Sequence, residues 1–285
     1  MRDLEWRLVR RGWLAREDVE RATGISRPVR EWVKRNAPWL RPVRDEVVFQ
    51  VKRPYRALRK WWTGWTLRPL PDGREWRSLL SNRLHISIMR GQLGYMYRGM
   101  RCVRNPFDLA LYLLILQELR PMTVIEIGSK EGGSAALYGD WLDMLDIPGK
   151  VYSIDLEPPD PKYMPYNVFF LRGDENNLGN SLGVSGAPWA DLPHPWLVIN
   201  DASHHYAAIV NCMNFLNKYM IRGDMMIIED GYLTELGEDR TRKGGPGRAI
   251  AEFLHVAKDW KIDARYCDYF GRNVTANPNG YLVKL

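Results

Sequence analysis

What the sequence lacks narrows it first. Its 285 residues contain only three cysteines, Cys102, Cys212 and Cys267, far apart and without metal-ligand spacing. An odd, scattered set neither staples a disulfide scaffold nor builds a zinc site, so reduced thiols in a cytoplasmic protein are expected. No apolar stretch approaches the roughly 18–20 residues of a spanning helix, so no membrane crossing is expected. The N-terminus is charged from Arg2 and Asp3 onward and carries no apolar signal region. Internal repeats and low-complexity tracts are absent too. With 45% hydrophobic and 26% charged residues, the composition suits one sizeable core with a smaller appendage, not a disordered chain.

The charge is unevenly spread. Residues 1–77 hold 20 Lys and Arg against 10 Asp and Glu, a net of +10; the remainder holds 21 against 24, a net of −3. Eight of the twelve tryptophans also fall in residues 1–77, so the chain divides into differently composed pieces. Residues 1–85 read as a basic, Trp-rich, mostly helical region, helical over 1–36 and broken by five prolines over 37–77 around "RALRKWWTGW" (56–65). Such an arm suits a cap, a homo-oligomer contact, or docking to a membrane surface or anionic glycan. The segment "REDVERATGISRPVREWV" (16–33) has the look of a helix-turn-helix, but Glu20 stands where a small residue is wanted and Pro28 interrupts the second helix. Nucleic acid is therefore not the expected partner. A DNA-binding regulator with a ligand-sensing domain remains the rival from another class.

Residues 86–285 form the second piece, where the pattern becomes regular. "PFDLALYLLILQEL" (106–119) opens with proline and carries an apolar face, as helices do. Buried-strand runs follow at 123–128, 149–156, 167–172, 195–201 and 224–230, with helical stretches at 134–145, 207–220 and 247–258 and a last strand at 280–285. Strands alternating with helices imply an α/β fold around a doubly wound, mainly parallel sheet. Ligands then bind beyond the carboxyl ends of the strands.

Each of the first five strands ends in an acid: Glu126 before Gly128, then Asp155, Asp174, Asp201 and Glu229–Asp230. The first belongs to "VIEIGSKEGGSA" (124–135), which matches neither the G-x-G-x-x-G of a dinucleotide fold nor the Gly-Lys-Ser/Thr of a triphosphate loop. An acid inside a glycine turn repels a pyrophosphate and suits a ligand with a positive centre. Asp155, one strand on, is placed to accept from ribose hydroxyls. A cationic amino-acid head on adenosine describes S-adenosylmethionine, although an ordinary tight strand-to-helix connection uses the same glycines. Asp201, Glu229 and Asp230 bring three carboxylates to adjacent strand ends, the oxygen donor set of a hard cation such as Mg²⁺. Such an ion orients a hydroxyl and lowers its pKa. "DASHHYAA" (201–208) adds His204 and His205, either of which suits a general base.

Together "RNPFDLALY", "VIEIGSKEGGSA", "VYSIDLE", "RGDEN", "VINDASHHY" and "MIIEDG" resemble the cephalosporin hydroxylase-like family of S-adenosylmethionine-dependent O-methyltransferases, which includes rhamnosyl and macrolide-sugar methyltransferases. The likeness runs over residues 92–285. It implies a seven-stranded Rossmann-like methyltransferase sheet with the last strand antiparallel. It also implies Glu126, Gly128 and Ser134 around the methionine moiety, Asp155 at the ribose and Asp174 near the adenine. Asp201, Glu229 and Asp230 become the metal ligands, His204 the base, and 237–254, with Gly244, Gly245 and Gly247, a mobile cover. Hydroxylation is the family's other reported chemistry, but no pair of histidines and a carboxylate is spaced for an iron triad. The expected activity is Mg²⁺-dependent methyl transfer to a hydroxyl of a small-molecule or glycan acceptor, with a catechol-type phenol as the alternative.

Overall fold

The computed structural model describes residues 68–181, 189–236 and 242–285. The helices expected over 1–36 and the Trp-rich cluster at 56–65 lie outside these residues. Three elements precede the sheet. Helix α1 (Asn82–Gln92) starts at Ser81, whose hydroxyl accepts from the Leu84 amide. Strands β1 (Met96–Tyr97) and β2 (Met100–Arg101) form a small hairpin, with Arg98 and Gly99 at φ 51° and 79° as a two-residue turn requires. Helix α2 (Pro106–Leu119) follows with the bounds its sequence predicts: Asn105 caps the Phe107 amide at 2.9 Å, and Arg120 ends it in the left-handed region.

From there the chain alternates. Strand β3 (Thr123–Ile127), α3 (Gly133–Met144), β4 (Lys150–Asp155) and β5 (Val168–Arg172) build one half. Strand β6 (Trp196–Asn200), α4 (Tyr206–Asn217), β7 (Met225–Ile228), α5 (Tyr232–Glu235) and α6 (Gly245–Val256) build the other. Strand β8 (Trp260–Ile262), α7 (Ala264–Cys267) and β9 (Tyr281–Lys284) complete the chain. The seven-stranded sheet has the order β5-β4-β3-β6-β7-β9-β8, and β9 alone runs against its neighbours. This is the doubly wound sheet that the sequence pattern implies, with the reversed last strand that the family resemblance implies. Every residue of β3, β6 and β7 is buried, which is why these strands read as unbroken apolar runs. Winding proceeds from β3 outward to β5, then returns to β6 on the other side. The switch point, where a doubly wound sheet opens a crevice, therefore lies between β3 and β6.

The expected strands overrun the observed ones by a residue or two at their ends, where the acids leave the ladder. Strand β8 escaped the sequence reading because it has three residues and exists by pairing with β9. The three cysteines are unpaired and buried. No helix among the described residues is long and apolar enough to cross a membrane.

Two polar contacts, one half-buried and one buried, fix the frame around the sheet. Arg74 forks onto Asp268 at 2.8 and 3.0 Å, fastening the stretch before α1 to the segment after α7, while Leu70 enters the core. Asp108, on α2, accepts from the Thr275 hydroxyl, the Ala276 amide at 3.0 Å and the Tyr281 hydroxyl at 3.0 Å. Burial pushes its pKa up to about 6, against the lowering effect of these hydrogen bonds. A carboxyl whose pKa is higher folded than unfolded stabilises the fold as pH drops through that interval. Between about pH 7 and pH 4 the wild type should therefore gain up to about 3 kcal/mol relative to Asp108→Asn. Urea melts at several pH values check this; parallel stability–pH curves for the two proteins would refute it.

Candidate active site

Backbone hydrogen bonds step across the carboxyl edge of the sheet. The Gly128 amide donates to Ile154 at 2.8 Å, Asp201 to Ile127 at 2.9 Å and Glu229 to Asn200 at 3.0 Å. Residues distant in sequence thus leave four neighbouring strands at one level. A cavity of about 810 Å³ opens there. Gly128, Ser134, Asp155, Asp174, Asp201, His204, Glu229 and Asp230 all line it, whereas Glu126 and His205 do not.

One half is shaped by backbone. Gly128 has φ 104°, and a Cβ there would run into the Asp201 carbonyl, so only glycine lets the loops after β3 and β6 pass each other. Lys130 and Gly132 also adopt positive φ as the chain turns into α3. Asp155 holds this wall together: its Oδ2 accepts from the Lys130 amide at 3.0 Å and its Oδ1 from the Glu157 amide at 3.1 Å. Each oxygen keeps a further lone pair for a ligand hydroxyl. Asp174 organises the next loop by accepting from the Asn176 amide at 2.9 Å.

The other half gathers acids. His204 Nε2 lies 3.1 Å from Asp230 Oδ2 and 3.9 Å from Asp201 Oδ1. Both His204 and Asp230 sit in the left-handed region, at φ 56° and 59°, a strained backbone that non-glycine residues hold chiefly at functional sites. Donor atoms of Asp201, His204 and Asp230 lie within 4.8 Å of one another, a spacing that a single cation can span. Glu229 is engaged: the Tyr112 hydroxyl donates to its Oε1 at 2.7 Å, and Arg104 approaches its Oε2 at 3.3 Å. Burial pushes the Glu229 carboxyl well above its ordinary range and Asp230 to about 6, with neighbouring carboxylates adding to both. Carboxylate oxygens and an imidazole nitrogen converging on one wall of the cavity are donors that fit a divalent cation.

Glu126 meets its positive partner inside the protein. It is fully buried and accepts from the Ser134 and Ser153 hydroxyls and, at 2.7 Å, from Arg104. The Arg104 side chain is itself 3% exposed. Its Nε donates to the Tyr138 hydroxyl at 2.9 Å, Nη2 to Glu126 and Ser134, and Nη1 to Asp201 and Glu229. Burial works to lower its pKa, but the surrounding acids outweigh it and hold the guanidinium charged. Sequence reading passed over Arg104 and Tyr112. In a chain with 41 Lys and Arg, one arginine before a helix start carries no local mark. Its place in "RNPFD", directly before the capping Asn105, was the available signal.

The doubly wound sheet with a reversed last strand and the acid-ringed cavity at its switch point suit an S-adenosylmethionine-dependent O-methyltransferase, and the family match shows that class. The model of the family described as "Rhamnosyl O-methyltransferase/CmcI" matches residues 92–175 and 184–285, and the chain belongs to that family. Among relatives, the rhamnosyl O-methyltransferase of Mycobacterium tuberculosis (strain ATCC 25618 / H37Rv) is 27% identical over 195 residues, 66% of this chain and 77% of its own. That of Mycobacterium leprae is 26% identical over 191 residues, 66% and 82% of the two chains. A solved structure, "cmcI-D160 Mg-SAM", superposes with a TM-score of 0.51 at 25% identity, over 68% of this chain and 77% of that one. The "CmcI-N160 apo-structure" shares the fold, with a TM-score of 0.54 at 24% identity over 73% and 80%.

Gly128→Ala should cost about 1–3 kcal/mol of stability, because alanine must both hold positive φ and displace the Asp201 carbonyl. Denaturant melts measure this; a loss below about 0.5 kcal/mol would mean the two loops are free to separate.

Proposed function

We propose that this enzyme methylates a hydroxyl of a sugar, such as rhamnose, with S-adenosylmethionine as donor and Mg²⁺ as a required ion. The observation that carries this reading is the convergence of one donor-shaped and one acid-rich wall on a single cavity. The rhamnosyl activity in the names of the curated relatives supports a sugar over a phenol. The Mg and SAM of the solved neighbour support the ion and the donor.

Gly128 and Ser134 border the methionine end of the donor. Asp155 accepts from the ribose hydroxyls, and Asp174 lies toward the adenine. Asp201, Glu229 and Asp230 would hold the ion. When bound, the donor supplies an electrophilic methyl on a sulfonium, and a divalent cation makes a nearby hydroxyl more acidic. His204 takes the acceptor's proton as the oxygen forms its bond to the methyl carbon and the carbon–sulfur bond breaks. The products are a methyl ether, S-adenosylhomocysteine and a proton on the imidazole. The Asp230 carboxylate, 3.1 Å from Nε2, orients that ring. Met89 and Gln92 of α1 and Leu93 just after it, with Tyr232, border the acceptor's side of the cavity. Alignment of the two reactants against these walls supplies much of the rate. A second reading makes His204 an ion ligand in place of Glu229, on the convergence of Asp201, His204 and Asp230.

S-adenosylhomocysteine release should be seen with rhamnosides, less with phenols, and should vanish on chelation with EDTA. Asp201→Ala should lower turnover at least about a hundredfold. Undiminished turnover in EDTA would remove the ion from the mechanism. His204→Ala that keeps Mn²⁺ affinity but loses turnover supports the base; parallel loss of both makes it a ligand.

A further inference from the structure

Arg104 stands between the two walls of the cavity. Its guanidinium is asymmetrically anchored. Nε and Nη2 are held from behind by Tyr138, Glu126 and Ser134, while Nη1 alone reaches forward to Asp201 and Glu229. The rear partners are buried, with Glu126 0% exposed, but the Asp201 side chain is 20% exposed and lines the cavity. Two of the three carboxylates assigned above to the divalent ion are therefore already gripped by a cation of the chain itself.

We propose that Arg104 is a resident counter-cation: it holds Asp201 and Glu229 in place before the divalent ion arrives, then shares them with it. The inference rests on the assignment of Asp201, Glu229 and Asp230 to that ion. Three buried or half-buried carboxylates cannot be kept together without positive charge, because their repulsion and desolvation add. Arg104 supplies that charge and fills all its donors in doing so. The same charge opposes an incoming divalent ion across a few ångströms of poorly screened protein. The arginine thus keeps the site assembled when no ion is bound, at the expense of ion affinity. Its anchoring on Glu126 lets Nη1 loosen its grip while the guanidinium stays seated. Arg104 is a positioning residue; it acts through the carboxylates.

The test measures ion binding directly, by calorimetry and by the paramagnetic resonance of free Mn²⁺, on the full chain without donor or acceptor. Arg104→Gln should bind Mn²⁺ roughly tenfold more tightly than wild type or better, because a positive charge beside the seat is gone. Arg104→Lys, which keeps the charge, should stay within about threefold of wild type. The melting temperature of Arg104→Gln should also rise more on saturation with Mn²⁺ than that of wild type. Folded Arg104→Gln protein with unchanged or weaker Mn²⁺ affinity would overturn the proposal. If Arg104→Gln folds only with Mn²⁺ present, the ion is replacing the missing charge and the proposal stands. Failure to fold in either condition would make the arginine a structural strut and overturn it. Wild-type protein that binds no Mn²⁺ would remove the ion assignment itself, and this proposal with it.

Discussion

The interaction on which the rest depends is the grip of one buried guanidinium on Glu126, Asp201 and Glu229. Glu126 lies near the end of β3, and Asp201 and Glu229 directly follow β6 and β7, so Arg104 ties the ends of three strands to the segment joining the small hairpin to α2. Taking so many charges out of water costs several kcal/mol each unless they are paired and hydrogen-bonded. Arg104 meets that condition because its planar fork offers five donors and each has an acceptor. Lysine, a point charge with three rotatable donors, does not reproduce this geometry. Tyr112 and Tyr138, both fully buried, complete the network from α2 and α3.

From this network the division of labour in the cavity follows. On the β4 side the acids serve backbone: Asp155 and Asp174 accept from loop amides and present their remaining lone pairs outward. That arrangement suits hydroxyl and amino groups of a nucleoside. On the β6–β7 side the acids face one another, and burial pushes Glu229 and Asp230 upward, with the neighbouring carboxylates adding to it. The strained backbone at His204 and Asp230 keeps an imidazole and a carboxylate in contact at the mouth of that side. The two walls meet where the loop after β3 passes under Asp201, and the glycine at 128 sets how closely they approach.

Much of this was legible in the sequence. Helix α2 announced itself through Asn105, Pro106 and its apolar face. The parallel strands did so through unbroken apolar runs, and their ends through acids, since an acid closes a buried strand only where the chain reaches a polar edge. Gly128 and Asp155 were readable because their spacing follows from a strand, a turn and a helix in order. The partner of Glu126 was not readable. Its environment is made by residue 104 from before the strand and by Ser153 from the next strand, and no local pattern joins them. The reading set Glu126 in the glycine turn beside a ligand with a positive centre; the residue lies within β3 instead, where Arg104 supplies a positive charge from the chain itself. Strand β8 and the engagement of Glu229 by Tyr112 were hidden for the same reason: both exist only through tertiary pairing.

The central claim is that a methyl donor and a divalent ion occupy neighbouring walls of one cavity. Nuclear magnetic resonance of donor labelled with carbon-13 in its S-methyl group, bound to the enzyme and titrated with Mn²⁺, tests it most directly. The account predicts that Mn²⁺ bound at the acid cluster broadens the S-methyl signal strongly, and that Mg²⁺ competition restores it. A methyl line that stays sharp while both the donor and Mn²⁺ are bound would place the two in separate sites and contradict the account.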